Sequence, residues 1–126
     1  MTHTADEIAD RLFAAIERGD VEGVRGVYDP DARVWHNYDE VEQSVEENLG
    51  VLAWVIRTLA DRSYDEVRRQ PTTTGFVQQH VLRFTRGDGT RQEVPACLVV
   101  ACDHEAGTIT RIDEYIDSAH VARITG

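Results

Sequence analysis

The hydrophobic period of this chain changes once, just past residue 61, and that change decides most of what the chain can fold into. Before it, apolar residues recur every three or four positions, as on helices that bury one face. After it they alternate, as on strands with one face covered. Helices first and strands after point to an α+β fold with an antiparallel sheet.

The pattern resolves into elements. Thr4-Ala5-Asp6-Glu7 is a capping box, and Ile8, Leu12, Ala15 and Ile16 then form a helical stripe that stops at Gly19. Asp20 caps a second short helix carrying Val21, Val24, Val27 and Tyr28 on one side. Asp29-Pro30-Asp31 is a predicted turn and Arg33-Val34-Trp35-His36 a short strand. The longest helical pattern spans 40–61, where Val41, Val45, Leu49, Leu52, Ile56 and Leu59 fall within about 40° of one line. Strands are predicted over 64–70, 75–86, 90–103 and 108–117, with a hairpin at Gly87-Asp88-Gly89 and a short helix or tail over 118–124. No repeat, linker or low-complexity segment interrupts the chain, so residues 1–126 are expected to form one domain.

Charge narrows the function. The 13 basic residues are all arginine, and 23 acidic ones leave a net −10. Without lysine there is no Schiff-base chemistry and no Walker-type phosphate loop. The acidic excess disfavours nucleic acid, whose phosphates basic patches normally neutralise. No apolar run approaches the roughly 20 residues that span a bilayer, and the polar, acidic start resembles neither signal nor transit peptide. A cytoplasmic protein with no membrane partner is expected. Cys97 and Cys102 lie an odd number of residues apart on one strand, hence on opposite faces, and read as unpaired, reduced core residues rather than zinc ligands.

Three stretches carry a resemblance: the helix ending in Gly19-Asp20, the segment Tyr28-Asp29-Pro30-Asp31-Ala32-Arg33-Val34, and the close Gly107-Thr108-Ile109-Thr110-Arg111-Ile112-Asp113-Glu114-Tyr115-Ile116-Asp117. Through them the chain resembles the nuclear transport factor 2-like superfamily, in its SnoaL-like branch. The resemblance implies a curved sheet wrapped by three helices into a cone, a cystatin-like α+β barrel with one internal apolar pocket. Homodimerisation through the outer sheet face is also implied. The superfamily holds isomerases, cyclases, dehydratases, epoxide hydrolases and non-catalytic binders, so the fold leaves the function open.

Two enzymes of this superfamily suggest which strand faces look inward. His36 stands where ketosteroid isomerase has its aspartate base. Glu114 stands where limonene epoxide hydrolase has a catalytic aspartate. The same parity turns Ile112 and Ile116 inward, and favours Gln78, His80, Leu82 and Phe84 on a middle strand. Leu12 and Leu98 replace the isomerase's tyrosine and oxyanion-hole acid, and the hydrolase's arginine is not evident. Neither activity transfers as it stands.

Each candidate has a plain structural reading beside the functional one. His36 reads as a general base near neutral pH or as a half-buried histidine at a turn. Glu114 reads as a carboxylate on an apolar face, costly to bury unless paired or protonated, or as a solvent group if the parity is reversed. His80 reads as a partner of Glu114 or His36, or as a satisfied core histidine. Two histidines and a carboxylate would suit a metal triad, but their scatter carries no spacing signal, so no metal is expected. Asn48, at the stripe's edge, and Tyr38, past His36, are candidates for the pocket mouth. Trp54 falls opposite the stripe and suggests a contact surface or a flap. Arg68-Arg69 beside Asp65-Glu66 reads as a solvated, salt-bridged face.

Two functions follow. One is an enzyme doing acid–base chemistry (isomerisation, cyclisation, hydration or epoxide opening) without a cofactor on a mostly apolar terpenoid, steroid or polyketide. Glu114 and His36 would be its catalytic groups, with His80, Gln78, Tyr38, Asn48, Ile112, Ile116, Leu82 and Phe84 around the ligand. The other is a non-catalytic ligand-binding or dimerisation module. Convergence of His36 and Glu114 in an open pocket favours the first; a pocket filled by the protein's own side chains favours the second.

Overall fold

Local capping starts the first three helices of this protein, a computed structural model of which describes residues 2–126. Helix α1 (Ala5–Glu17) begins at Thr4, whose hydroxyl accepts from the Glu7 amide at 3.1 Å. Gly19, at φ +76°, turns the chain into α2 (Val21–Val27), where Asp20 accepts from the Gly23 amide at 2.8 Å. Helix α3 (Val45–Thr58) starts at a reciprocal Ser44–Glu47 capping box. It is therefore shorter than the stripe over 40–61 predicts. Glu42–Gln43 instead forms a strand, β2, and Val41 stays 49% exposed.

The remaining strands are β1 (Tyr28–His36), β3 (Ala60–Pro71), β4 (Gly75–Thr85), β5 (Arg91–Asp103) and β6 (Thr108–Ile116). A 3-10 turn (Ser118–His120) and a short α4 (Val121–Thr125) end the fold. The sheet order is β2-β1-β6-β5-β4-β3, and the sheet does not close. All pairings are antiparallel except β1 with β6. The expected antiparallel sheet is thus a mixed one: the early strand β1 enters beside the last strand and runs with it.

Bulges bend the sheet. Asp29-Pro30-Asp31, expected as a turn, sits within β1, where the register against β6 jumps between Tyr28 and Arg33. Proline has no N–H to pair, which suits an unpaired bulge residue. On β3 the register shifts twice, between Ala60 and Ser63 and between Asp65 and Arg68, with Asp61 and Glu66 at positive φ. Each bulge adds local twist and curvature.

The concave face carries the core. Ile8, Leu12 and Ile16 of α1 and Val24 and Val27 of α2 pack with Phe76, Val100 and Ile112. A second cluster of Leu59, Phe84, Val94 and Ile116, with Ile124 of α4 against it, closes the other end. Each such side chain contributes roughly 1.5–3 kcal/mol when fully buried. Arg62 ties the helix ends together. Its guanidinium donates to the Ile16 and Glu17 carbonyls at the end of α1, and to the Ile56 and Leu59 carbonyls around the end of α3, at 2.7–3.3 Å. These are carbonyls that a helix end otherwise leaves unpaired.

Candidate functional site

Between the two clusters the concave face stays open. A cavity of about 550 Å³ lies there, and its lining is mostly apolar. Strand alternation and register decide which polar groups reach it. Gln78, Leu98, Glu114 and His36 are Cα partners in one row across β4, β5, β6 and β1, and Arg69 extends the row onto β3. All point to the concave side, because Ile112 and Ile116 flank Glu114 and are buried while Tyr115, between, is 46% exposed.

His36 and Glu114 meet directly, Nε2 to Oε1, at 2.9 Å. A carboxylate only accepts, so the imidazole proton sits on Nε2. Nδ1 of His36 is buried without a partner among the described residues. Burial opposes the charged ring, but the hydrogen bond and charge of Glu114, with a smaller pull from Asp39, outweigh it and raise the His36 pKa above 6.5. The Tyr38 ring leans on His36 at 5.2 Å. Its hydroxyl is pushed up to about 12 by burial first, then by Glu114 and Asp39.

His80 faces the cavity from β4, one row away. Its Nδ1 lies 2.8 Å from Gln78 Nε2. Burial lowers its pKa below 6.5; the Glu114 charge works against this and the Arg69 charge adds to it. Phe13 and Tyr64 hold its ring edge-on, with centroids 5.4 and 4.7 Å away.

Asn48 is buried and lines the cavity, but it is bonded within the protein: its oxygen accepts from the Tyr28 hydroxyl at 2.8 Å and its amide donates to Gln43 at 2.9 Å. Leu82, Ile112, Ile116 and Tyr38 line the cavity, as do Leu12 and Leu98. Gln78 and Phe84, expected on the wall, do not line it. Gln78 is fully buried under the wall between Arg69 and His80, and Phe84 fills the second apolar cluster.

Two further expectations change. Trp54 lines the cavity. Helix α3 buries Val45, Asn48 and Leu49 near its start, while Val51, Trp54 and Val55 face the cavity, so a single stripe describes it poorly. Arg69 is not a solvated residue. It reaches inward to Gln78 and lies over the Phe76 ring. Tyr64 and Arg69 are five positions apart, yet their partners Leu82 and Gln78 are four apart, and the bulge between them puts both on the inner face. Arg68, by contrast, stays exposed. Tyr28 and Tyr64, both on the wall, were not singled out as site residues from the sequence; burial raises both hydroxyls well above the usual tyrosine range.

The cysteines are free, and burial pushes the Cys102 thiol up to about 11. Among the described residues no three His, Cys, Asp or Glu side chains converge as metal ligands, and no arginine lines the cavity. No helix among them is long and apolar enough to cross a membrane.

An unclosed curved sheet with helices over its concave face and one deep pocket is the cone of the NTF2-like fold. Solved structures place the chain in that fold. It is similar to a SnoaL-like protein from Shewanella denitrificans assigned as a polyketide cyclase, with 10% identity over 96% of both chains and a TM-score of 0.82. It is similar to a Catenulispora acidiphila protein of ketosteroid isomerase-like fold, solved with trimethylamine, with 15% identity over 95% of this chain and 92% of that one and a TM-score of 0.79. An NTF2-like protein from Burkholderia xenovorans shares 19% identity over 100% of this chain and 98% of its own, with a TM-score of 0.76. No family model and no curated protein sequence matches the chain. At these identities the likeness is one of fold.

Proposed function

We propose that this protein catalyses cofactor-free proton transfer on a small, largely apolar molecule of the terpenoid, steroid or polyketide kind. Isomerisation, cyclisation, hydration and epoxide opening all belong to that chemistry. The observation that carries the reading is the His36–Glu114 pair, 2.9 Å apart, on the wall of an open apolar cavity of about 550 Å³. That volume is in the range of small-molecule sites. The lack of an arginine on the wall favours a neutral ligand.

In this reading Glu114 is the base. One oxygen is held by His36 Nε2–H, and the carboxylate takes a proton from a ligand carbon or from a water on the cavity side. With a ketone, the C–H electron pair moves into the carbonyl as an enolate, and the proton returns from Glu114 to the same or a conjugated carbon. His36 steadies the carboxylate and orients it. A second copy of the chain packing on the outer sheet face belongs to the same proposal, supported by Val67, Val99 and Tyr115 exposed there and by Trp35 packed edge-on to Tyr115 at 5.4 Å.

The test is deuterium exchange at the α-carbons of apolar ketones such as β-tetralone, followed by NMR. The protein should accelerate exchange, and Glu114→Gln should cost about 10²–10⁴-fold. Equal exchange by wild type and Glu114→Gln, with ketone still bound, would leave the cavity as a binding site without this chemistry.

A further inference from the structure

Two side chains beneath the cavity wall, Arg69 and Gln78, determine where the proton of His80 sits. Arg69 donates from Nε to Gln78 Oε1 at 2.8 Å, and its NH1 is held by Asp6 at 2.8 Å and Asp10 at 3.2 Å on α1. A guanidinium has donors only, so the Gln78 amide must turn its oxygen to Arg69 and its NH2 the other way. On that side is His80 Nδ1, 2.8 Å off. An NH2 group offers only hydrogens, so Nδ1 carries the lone pair and the ring proton is on Nε2. Phe13 and Tyr64 pack against the ring in edge geometry. Nε2 makes no hydrogen bond within the protein among the described residues, and His80 lines the cavity.

We propose that the Arg69–Gln78 pair locks His80 as a neutral imidazole whose Nε2–H is a fixed hydrogen-bond donor to a ligand oxygen, so that the cavity selects apolar molecules bearing an acceptor such as a ketone, ester or quinone carbonyl. Protonating the ring would set an Nδ1–H against the Gln78 NH2, donor against donor. Burial and the Arg69 charge oppose protonation as well, and only Glu114, from β6, favours it; the Tyr64 hydroxyl, from β3, stays neutral. The donor is therefore present at neutral pH without a permanent cation. Combined with the proton-transfer reading, on which this last step rests, His80 would hold the oxygen that gains charge while Glu114 removes a proton one row away. Arg69 and Gln78 touch no ligand and act as positioning residues.

Ring-nitrogen NMR on the full chain tests the lock without any ligand, with the His80 signals assigned by their loss in His80→Phe. The expected result is an Nε2–H tautomer at neutral pH, titrating below the ordinary histidine value of about 6.5. In Gln78→Glu, where a carboxylate replaces the NH2, His80 should switch to Nδ1–H or to the imidazolium. For selectivity, the ratio of β-tetralone to tetralin affinity should fall about fivefold in His80→Phe, the worth of one neutral hydrogen bond. A wild-type His80 found as Nδ1–H or as imidazolium overturns the proposal, and so does a ring that keeps its Nε2–H tautomer in Gln78→Glu. An affinity ratio unchanged in His80→Phe, or no preference to lose, also overturns it. Failure of the Glu114→Gln exchange test with tautomer and ratio intact would remove the proton-transfer role and leave the donor standing.

Discussion

His36 and His80 stand on the same concave face with two strands between them, and both are buried. They nonetheless differ in charge preference. His36 bonds through Nε2 to a carboxylate, and its pKa rises despite burial. His80 bonds through Nδ1 to an amide backed by a guanidinium, and its pKa falls. The contrast comes from the group each ring bonds to: Glu114 at His36 and, at His80, Gln78 backed by Arg69. One fold thus holds the same residue type in two environments, one that favours the charged ring and one that favours the neutral ring.

The largest expected effect comes from removing the group that separates the two rings. Glu114→Gln should lower exchange by about 10²–10⁴-fold and drop the His36 pKa below 6.5, onto the same side as His80, because only burial and the weaker pull of the Asp39 charge remain. An NMR titration of both rings reads this directly. A His36 pKa still above 6.5 in that variant would break the account of the contrast.

Next comes the other side of the comparison. Arg69→Met leaves Gln78 Oε1 buried and unpaired, which should cost about 1–3 kcal/mol in urea unfolding. It should also free the amide to rotate, so that His80 shows a mixture of tautomers. Stability loss with an unmixed tautomer would mean that packing over Phe76, and not the amide, is what Arg69 supplies.

The pH dependence follows from the sign of the His36 shift. A histidine whose folded pKa is raised adds stability that is fully present below its unfolded value of 6.5 and is lost as pH rises through the folded value. The Tm gap between wild type and His36→Gln should be widest near pH 6 and shrink above the raised pKa. His80→Gln should show the opposite slope, a gap that opens as pH rises through 6.5, because the unfolded histidine binds its proton more readily than the folded one. A His36→Gln gap that widened with pH would reverse the assignment.

How much of this was legible in the sequence depended on where the strands bulge. Ile112, Glu114 and Ile116 alternate on a stretch of β6 with no register shift, so once the resemblance turned Glu114 inward the two isoleucines followed by parity. The same counting fails on β3. One extra residue between Asp65 and Arg68 brings Arg69 inward, and neither the spacing nor the composition of Asp65-Glu66-Val67-Arg68-Arg69 marks which residue is extra. The Ser44–Glu47 box was present in the sequence, but Val41 happened to extend the apolar stripe past it. The Tyr28–Asn48 bond joins residues 20 apart in the chain and needed the tertiary fold to be seen. Local periodicity therefore carried the α+β order, whereas the polar wiring beneath the cavity rests on bulges and long-range pairs.

The smallest expected effect sharpens the comparison from the rim. Tyr38 lines the cavity and packs on the His36 ring, with ring centroids 5.2 Å apart. It could in principle share in setting the His36 charge. Its hydroxyl, however, is pushed up to about 12 and so stays neutral at any working pH, and the side chain is 39% exposed. A neutral group in partial contact with solvent has no charge with which to raise a pKa. Tyr38→Phe keeps the ring and removes only the hydroxyl. It should leave the His36 titration in place, change stability by less than about 0.5 kcal/mol, and alter exchange by less than about threefold, well under the effect of a catalytic proton-transfer group. A His36 titration that moved with the loss of this hydroxyl would assign part of the contrast between the two histidines to the cavity mouth, and with it part of the role given to Glu114.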